Sequence, residues 1–578
     1  MHVRIHLIIV ISSVVGTIIG QTRAREYQSS QSCRCFPGDS CWPTKVSWEQ
    51  LNKTVGGRLI ATIPLGTPCH GDEYDESRCR EIRDTWNLPD THIATSSSIM
   101  AKFFANQSCE PFLPRQARCI VGTYVRYAVD ARSVSDYQAT IAFARVHNIR
   151  LVIRNTGHDY FGKSSGSGSL AIWTHNFKSI KVLDLETSEY SGKALKVSAG
   201  TQLQEAYQAA YNNGLVVVGG TSPSVGYAGG YAQGGGHGYL ASRYGFGADQ
   251  VLEWEVVTAN GTYLTASPSR NKDLYWALSG GGGGSYAVVV SMTVKAYPEQ
   301  ITAASNLTWT SEGISQDIFY AGINAYLSRL PSILDAGATT TWLNSNESFA
   351  VQPAVGFGMS SEKLDSLHKP ILEALDQLNI SYTYTSSEFP SFFEMYLEIV
   401  PFTEAGVFQI GSRLIPREVI LNSTKELTAA MREIGTYGAM ISGLSFNATR
   451  GPNVSNSISP AFRKASVSLV IGTPYNNTDR NANIANQELM TNTLVPQLSD
   501  LIPGGGSAYL NEGDPWESNW QRVFYGEVYE RLLEIKRIYD PEFMLYGRTA
   551  VGSEAWIEMD DGRLCQIDML SKSIYHSV

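Results

Sequence analysis

The stretch that most limits what this chain can become runs Gly219-Gly220-Thr221-Ser222-Pro223-Ser224-Val225-Gly226, then Ala228-Gly229-Gly230, then Gln233-Gly234-Gly235-Gly236-His237-Gly238. Glycine has no Cβ, so such a run gives up side-chain packing for close approach of bare backbone to something else. A flexible linker is the plainer reading. Against it, Val225, Tyr227 and Tyr231 interleave with the glycines, and side chains of that kind gain by burial. A further run, Gly280 to Gly284, follows Asp273-Leu274-Tyr275-Trp276-Ala277. A Rossmann-type dinucleotide site does not fit, because none of these runs gives Gly-x-Gly-x-x-Gly with strand, helix and distal acid in order.

An earlier loop reads Arg154-Asn155-Thr156-Gly157-His158-Asp159-Tyr160-Phe161-Gly162-Lys163-Ser164-Ser165-Gly166 and follows directly on the strand-like Leu151-Val152-Ile153-Arg154. Its glycines let backbone N–H groups approach a pyrophosphate, and Arg154 or Lys163 adds positive charge. His158 is the odd member. It is either a structural histidine with satisfied ring nitrogens or a chemical group at the mouth of the cradle.

At 578 residues the chain exceeds what one hydrophobic core supports, so two or more lobes are expected. A hydrophobic content of 43% with 17% charged residues is that of an ordinary globular protein. The net charge of -9, with no basic stripe, argues against a nucleic-acid partner. The N-terminus, with an apolar run from Leu7 to Ile19 followed by Thr22 and Ala24, reads as a secretory signal peptide over 1–24, and no later apolar run predicts a membrane anchor. Asn-x-Ser/Thr sequons at Asn52, Asn106, Asn260, Asn306, Asn346, Asn379, Asn422, Asn447, Asn453 and Asn476 agree with passage through a secretory lumen or full secretion. So do Cys33, Cys35, Cys41, Cys69, Cys79, Cys109, Cys119 and Cys565, an even set that reads as disulfides, with pairing that sequence does not reveal. Zinc is the alternative, but Cys33-x-Cys35 lacks knuckle spacing and no histidine pair lies nearby, so no metal is expected.

Organisation follows from changes in texture. A Cys-, Pro- and Gly-rich segment over 25–118 has little periodic signal and predicts a loop-heavy cap. From 119 to 298 strands and helices alternate: a strand at Val125–Val129, a helix from Ser133 to His147 opened by Ser135-Asp136, strands at 196–200 and 215–218, a helix from Leu203 to Asn212, and a hairpin of 251–258 with 262–265 about Asn260-Gly261. A second lobe of mixed strands and helices spans 299–504. A tail over 505–578 carries a helix from Trp520 to Asp540, closed by Asp540-Pro541.

The region from Cys119 to Pro298 resembles the FAD-binding domain of the vanillyl-alcohol oxidase and p-cresol methylhydroxylase (PCMH) type. The tail, through Tyr529-Glu530-Arg531-Leu532, Ile535-Lys536, Tyr539-Asp540-Pro541 and Gly552-Ser553-Glu554, resembles the C-terminal signature of the berberine bridge enzyme subgroup. The opening Cys33-Arg34-Cys35 to Cys41-Trp42-Pro43 is similar to that of fungal FAD-linked oxidoreductases of secondary metabolism. The resemblance implies a two-lobe α+β PCMH-type fold with a separate mixed α/β substrate lobe and a C-terminal segment that returns to the flavin.

For the site, the resemblance implies FAD bonded through its 8α-methyl carbon to His158, with Arg154, Asn155, Thr156, Gly157, Asp159, Gly162, Ser222, Val225, Gly226, Gly229 and Gly230 around the cofactor. Ser222 stands where some relatives add a cysteinyl link, and no cysteine lies between Cys119 and Cys565, so attachment through His158 alone is expected. Tyr160 is the candidate catalytic residue, with a packed tyrosine as the plainer alternative. Val225 matches a gatekeeper position whose small side chain implies access for molecular oxygen. Tyr231 and Val528 depart from residues common in plant relatives. Tyr509, Asn511, Tyr525 and Tyr529 lie in the tail that should face the flavin, and the stretch 442–447, where some relatives supply a glutamate base, has none. The function implied is two-electron oxidation of a small organic substrate with O2 as final acceptor. The rivals are a secreted carbohydrate oxidase and a binding protein that keeps the fold without turnover.

Overall fold

The computed structural model describes residues 32–567 apart from 401–403 and 453, so the expected signal peptide at 1–24 lies outside the described residues. Tyr127–Asp130, Leu170–Trp173 and Leu151–Arg154 form parallel neighbours in one four-stranded sheet, with Leu59–Ala61 antiparallel at its edge. The crossover helix Val134–Val146 buries Tyr137, Ile141 and Ala144 against Leu170 and Ile172 of that sheet. Its cap is Ser133, whose Oγ accepts from Asp136 N, rather than the expected Ser135-Asp136. Asp136 is occupied instead by Arg58, at 2.6 Å.

A second, antiparallel sheet runs Ile180–Glu186, Ser191–Ser198, Ala287–Lys295, Val251–Thr258, Tyr263–Ala266. The expected hairpin about Asn260-Gly261 is present with a longer loop than a two-residue turn. Val257 faces Tyr263, only Gly261 takes positive φ (86°), and the Asn260 side chain accepts from Thr258 Oγ1 and Thr262 N. Val257, Val288 and Val290 share a core with Leu170 and Ile172, which locks the two sheets together.

The second lobe is a seven-stranded antiparallel sheet in the order 382–389, 302–310, 348–357, 339–344, 440–445, 465–474, 408–416. Strand side chains alternate between faces. Ala303, Leu307 and Trp309 enter the core shared with helices Gln316–Asp335 and Ser361–Gln377, whereas Ala304 joins the core built on Leu203, Tyr207 and Tyr227 of the first lobe. Helices therefore cover one face of this sheet and the first lobe covers the other.

The Cys-rich segment is more ordered than its text suggests. Helices Lys45–Thr54 and Glu76–Asp84 and the strand Leu59–Ala61 are each too short for a clear period, and Trp48 stacks on Tyr127 at 4.1 Å. Disulfides join Cys35 to Cys41, Cys69 to Cys79 and Cys109 to Cys119; the fourth joins Cys33 to Cys565 across 532 residues. Beside that fourth bond, Ser32 O and Arg34 N extend the ribbon of Trp556–Glu558 and Leu564–Gln566. The tail helix is broken at Gly526 (φ 62°), which separates a wide turn at Gln521–Tyr525 from the α-helix Tyr529–Tyr539. Beyond it Leu545 bridges Leu151 in parallel, so the tail returns to the edge of the first sheet. Among the described residues no helix is long and apolar enough to cross a membrane.

Candidate functional site

Leu151–Arg154 delivers the first loop, and its last residue anchors it from below. Arg154 is fully buried and donates from Nη2 to His92 O (2.9 Å) and Thr95 O (3.1 Å) of the N-terminal segment, while Nε and Nη1 find no protein partner. Asp159 closes the loop by accepting from Lys163 N (2.6 Å) and Ser164 N (3.1 Å). Asn155 donates to Ala199 O at 2.5 Å, and its side chain fills the space a Cβ on Gly226 would need, 2.6 Å away. Only glycine fits there, and the first loop and the long glycine run are thereby pressed together.

At that junction His158 Nε2 lies 2.8 Å from Ser224 Oγ. Burial, with the charge of Arg154 and the neighbouring His92 also acting, lowers the imidazole to about 4, so the ring is neutral at ordinary pH. Thr156 and Gly157 are buried behind it, whereas Ser222, Val225 and Gly229 are half-buried and Gly230 is exposed. Gly162 packs on Phe104. Tyr160 combines 43% exposure with a phenol pushed up to about 12 by desolvation and by Glu512, the behaviour of a side chain lining a recess inside the molecule. A phenol so shifted stays protonated and acts as a hydrogen-bond donor.

Gln233 ties the glycine runs together. Its Nε2 donates to Ala228 O (2.9 Å) and Gly229 O (3.3 Å), its Oε1 accepts from Gly284 N (3.3 Å), and its main-chain O accepts from Gly280 N and Gly282 N. Tyr231 spans the same run through a bond to Gly236 O (3.3 Å), so this departure from plant relatives is a loop support. Val528 packs at the margin of the large core.

The tail closes the far side. Gly236 N donates to Tyr509 Oη (3.2 Å), and Asn511 donates to Tyr509 Oη (2.7 Å) and Gly230 O (2.8 Å). Tyr525 bonds to Thr549 O and Tyr529 to Glu554, so both are supports of the tail itself. Beside Asn511, Glu512 Oε2 lies 3.0 Å from His237 Nε2 and 3.4 Å from Ser468 Oγ of the second lobe. Beneath, fully buried Lys536 binds Asp540 (2.7 Å), Ser285 O (2.6 Å) and Leu545 O (2.7 Å), joining the tail helix to the end of the third glycine run.

Sequence reading brought Arg154, Asn155, His158 and the glycines together but missed Gln233, Ser224, Glu512 and Lys536. A glutamine among glycines has no period to betray it, and His237 and Glu512 are 275 residues apart. Lys536-x-x-x-Asp540, an i,i+4 pair on an otherwise apolar helix face, was the one available signal.

The residues fit a flavin dinucleotide. Buried Arg154 Nε and Nη1, Asn155 Oδ1 and Thr201 Oγ1 have no protein partner, and groups of that kind are ordinarily satisfied by protein, water or ligand. Arg154 suits a phosphate, and the glycine runs provide bare backbone. Residues 125–267 match the FAD binding domain family, and residues 508–549 match the family described as berberine and berberine like. The chain is similar to an FAD-linked oxidoreductase of Hypocrea jecorina, 50% identical over 93% of this chain and 94% of that one. It is also similar to a VAO-type flavoprotein oxidase of Thermothelomyces thermophilus, 38% identical over 96% of this chain and 98% of that one. A crystal structure of a VAO-type flavoprotein from Myceliophthora thermophila C1 superimposes with a TM-score of 0.89 at 38% identity, over 93% of this chain and 100% of that one.

Proposed function

This chain belongs to the VAO-type FAD-linked oxidoreductases, and from that membership we propose that it carries FAD covalently on His158 Nδ1 and uses molecular oxygen as final electron acceptor. The observation that supports the linkage is the 2.8 Å contact of His158 Nε2 with Ser224. With the ring proton on Nε2 and donated to Ser224 Oγ, the Nδ1 lone pair is left for a bond to carbon. The low imidazole pKa, about 4, favours this neutral, nucleophilic form. FAD supplies a two-electron acceptor that oxygen can regenerate, with release of H2O2.

Around it the chain's own groups bind and orient. Arg154, Asn155, Thr156, Gly157 and Asp159 form the pyrophosphate cradle with Gly162 behind it, Gly226 admits the Asn155 side chain that joins the two loops, Ser222, Gly229 and Gly230 leave room for the ring system, and half-buried Val225 borders the path for oxygen. Tyr160 donates a hydrogen bond to the substrate. The cofactor lobe is 119–298, the substrate lobe 299–504, and 505–578 is the segment that closes the recess, with 25–118 as the disulfide-bearing cap. The substrate is a small organic molecule of secondary metabolism with an alcohol, amine or activated C–H group. Four disulfides favour action in the secretory lumen or outside the cell.

The test is flavin retention. Acid-precipitated, washed wild type should keep flavin on the peptide containing His158, and His158→Ala should keep none; flavin still bound to the washed variant would refute the linkage. Turnover of simple oligosaccharides with H2O2 release would move the reading to a carbohydrate oxidase. A yellow protein that no candidate substrate bleaches would favour a binding role.

A further inference from the structure

Two distant parts of the molecule meet at the Glu512 carboxylate: His237 of the long glycine run at 3.0 Å and Ser468 of the substrate-lobe sheet at 3.4 Å. Glu512 is near enough to Tyr160 and Tyr509 for its charge to raise both phenols, although burial is the larger cause in each. Its side chain keeps 24% of its surface, so a molecule in the recess can reach it. Among the described residues no lysine or arginine lies within ion-pair distance of it. His237 and Ser468 orient the carboxylate, and the aromatic rings of Phe446, Phe462 and Tyr509 wall in His237. Tyr160, held protonated, is unsuited to accept a proton.

We propose that Glu512 is the proton acceptor when an alcohol is oxidised at this site, with His237 and Ser468 positioning the carboxylate. The proposal rests on the reading that this recess is the flavin side. In the step, the alcohol O–H and the adjacent C–H bonds break and a C=O bond forms. The hydroxyl proton passes to Glu512, and the C–H hydrogen leaves with its two electrons to the FAD that the family's activity supplies. Reduction of O2 to H2O2 then consumes that hydrogen, its two electrons and the proton held by Glu512, which restores the carboxylate.

The test uses purified holoprotein, wild type and the variants Glu512→Gln, Glu512→Asp and His237→Gln. Each is examined for flavin content, for anaerobic bleaching by sulfite, which adds directly to a flavin without a base, and for anaerobic bleaching by a panel of benzylic and aliphatic alcohols across pH. Glu512→Gln should keep its flavin and its sulfite reaction while alcohol bleaching slows ~100-fold or more and loses the acid limb of its pH profile. Glu512→Asp should recover part of the rate, and His237→Gln should fall between. Glu512→Gln bleached by alcohol within threefold of wild type and with an unchanged pH profile would overturn the assignment. A wild type bleached by sulfite but by no alcohol would overturn alcohol oxidation at this site, whereas protein without flavin would instead overturn the reading on which the proposal stands.

Discussion

Around the recess, one carboxamide, that of Gln233, and one ammonium, that of Lys536, hold two stretches of glycine-rich backbone and the tail in register. In the seven-stranded sheet the equivalent work is shared among dozens of apolar side chains, Trp309, Trp342, Ile441, Leu469 and Ile471 among them, pressed against helices. Burial of a large apolar side chain contributes about 1.5–3 kcal/mol wherever it occurs, so the lobe spreads its stability widely. Bare backbone has no such reserve. Its polar groups need partners, and a partner that serves several of them at once makes the local geometry depend on a single residue.

The sharpest way to break this contrast is Lys536→Met, which strands Asp540 in the interior and frees two carbonyls. It should cost about 3–5 kcal/mol and release flavin, read as a fall in melting temperature and in bound absorbance; a variant as stable and as yellow as wild type would remove the distinction. Buried polar groups do not always hold the fold, and Glu110 in the N-terminal segment sharpens that point. Burial raises its carboxyl to about 7, against the pull of Lys102, itself lowered to about 8. A carboxyl raised on folding destabilises increasingly as pH climbs from about 4.5 to 7 and by a constant amount above. Glu110→Gln should therefore melt higher than wild type at pH 8, by an equivalent of about 3 kcal/mol, with the difference vanishing below about pH 4.5.

Gln233→Ala should cost about 2 kcal/mol and perturb the flavin spectrum, because Gly284 N–H and the carbonyls of Ala228 and Gly229 lose their partner. Ile471→Val, in the middle of the lobe core, should cost about 1 kcal/mol and leave that spectrum unchanged. If the two spectra shift alike, the recess is not held separately from the lobe.

The same division governs what could be read from the sequence. Leu151–Arg154 and Val251–Thr258 were legible to the residue because a short β-branched, apolar run and its bounding turn are local. The cap of the crossover helix was missed by two positions because Ser133 and Ser135 are chemically alike, and what separates them is the Asp136 N–H bond to Ser133, with the Asp136 carboxylate held by Arg132 N and by distant Arg58. The break at Gly526 was hidden within apolar spacing that continues past it. At the site, the loop of His158 and the glycine runs stood out by composition, while Ser224, Gln233 and Glu512 acquire meaning only from partners that the fold brings up. No search confined to the middle lobe for a glutamate would have reached a carboxylate supplied by the tail.

The bond between Cys33 and Cys565 turns the intervening chain into a ring. A protease in the surrounding medium that nicks one exposed loop opens the ring without liberating a piece, so the cut protein should run as a single species until reductant is added. Two cuts are needed to shed a fragment, so this one covalent bond sets how much backbone damage the fold can absorb before it loses mass.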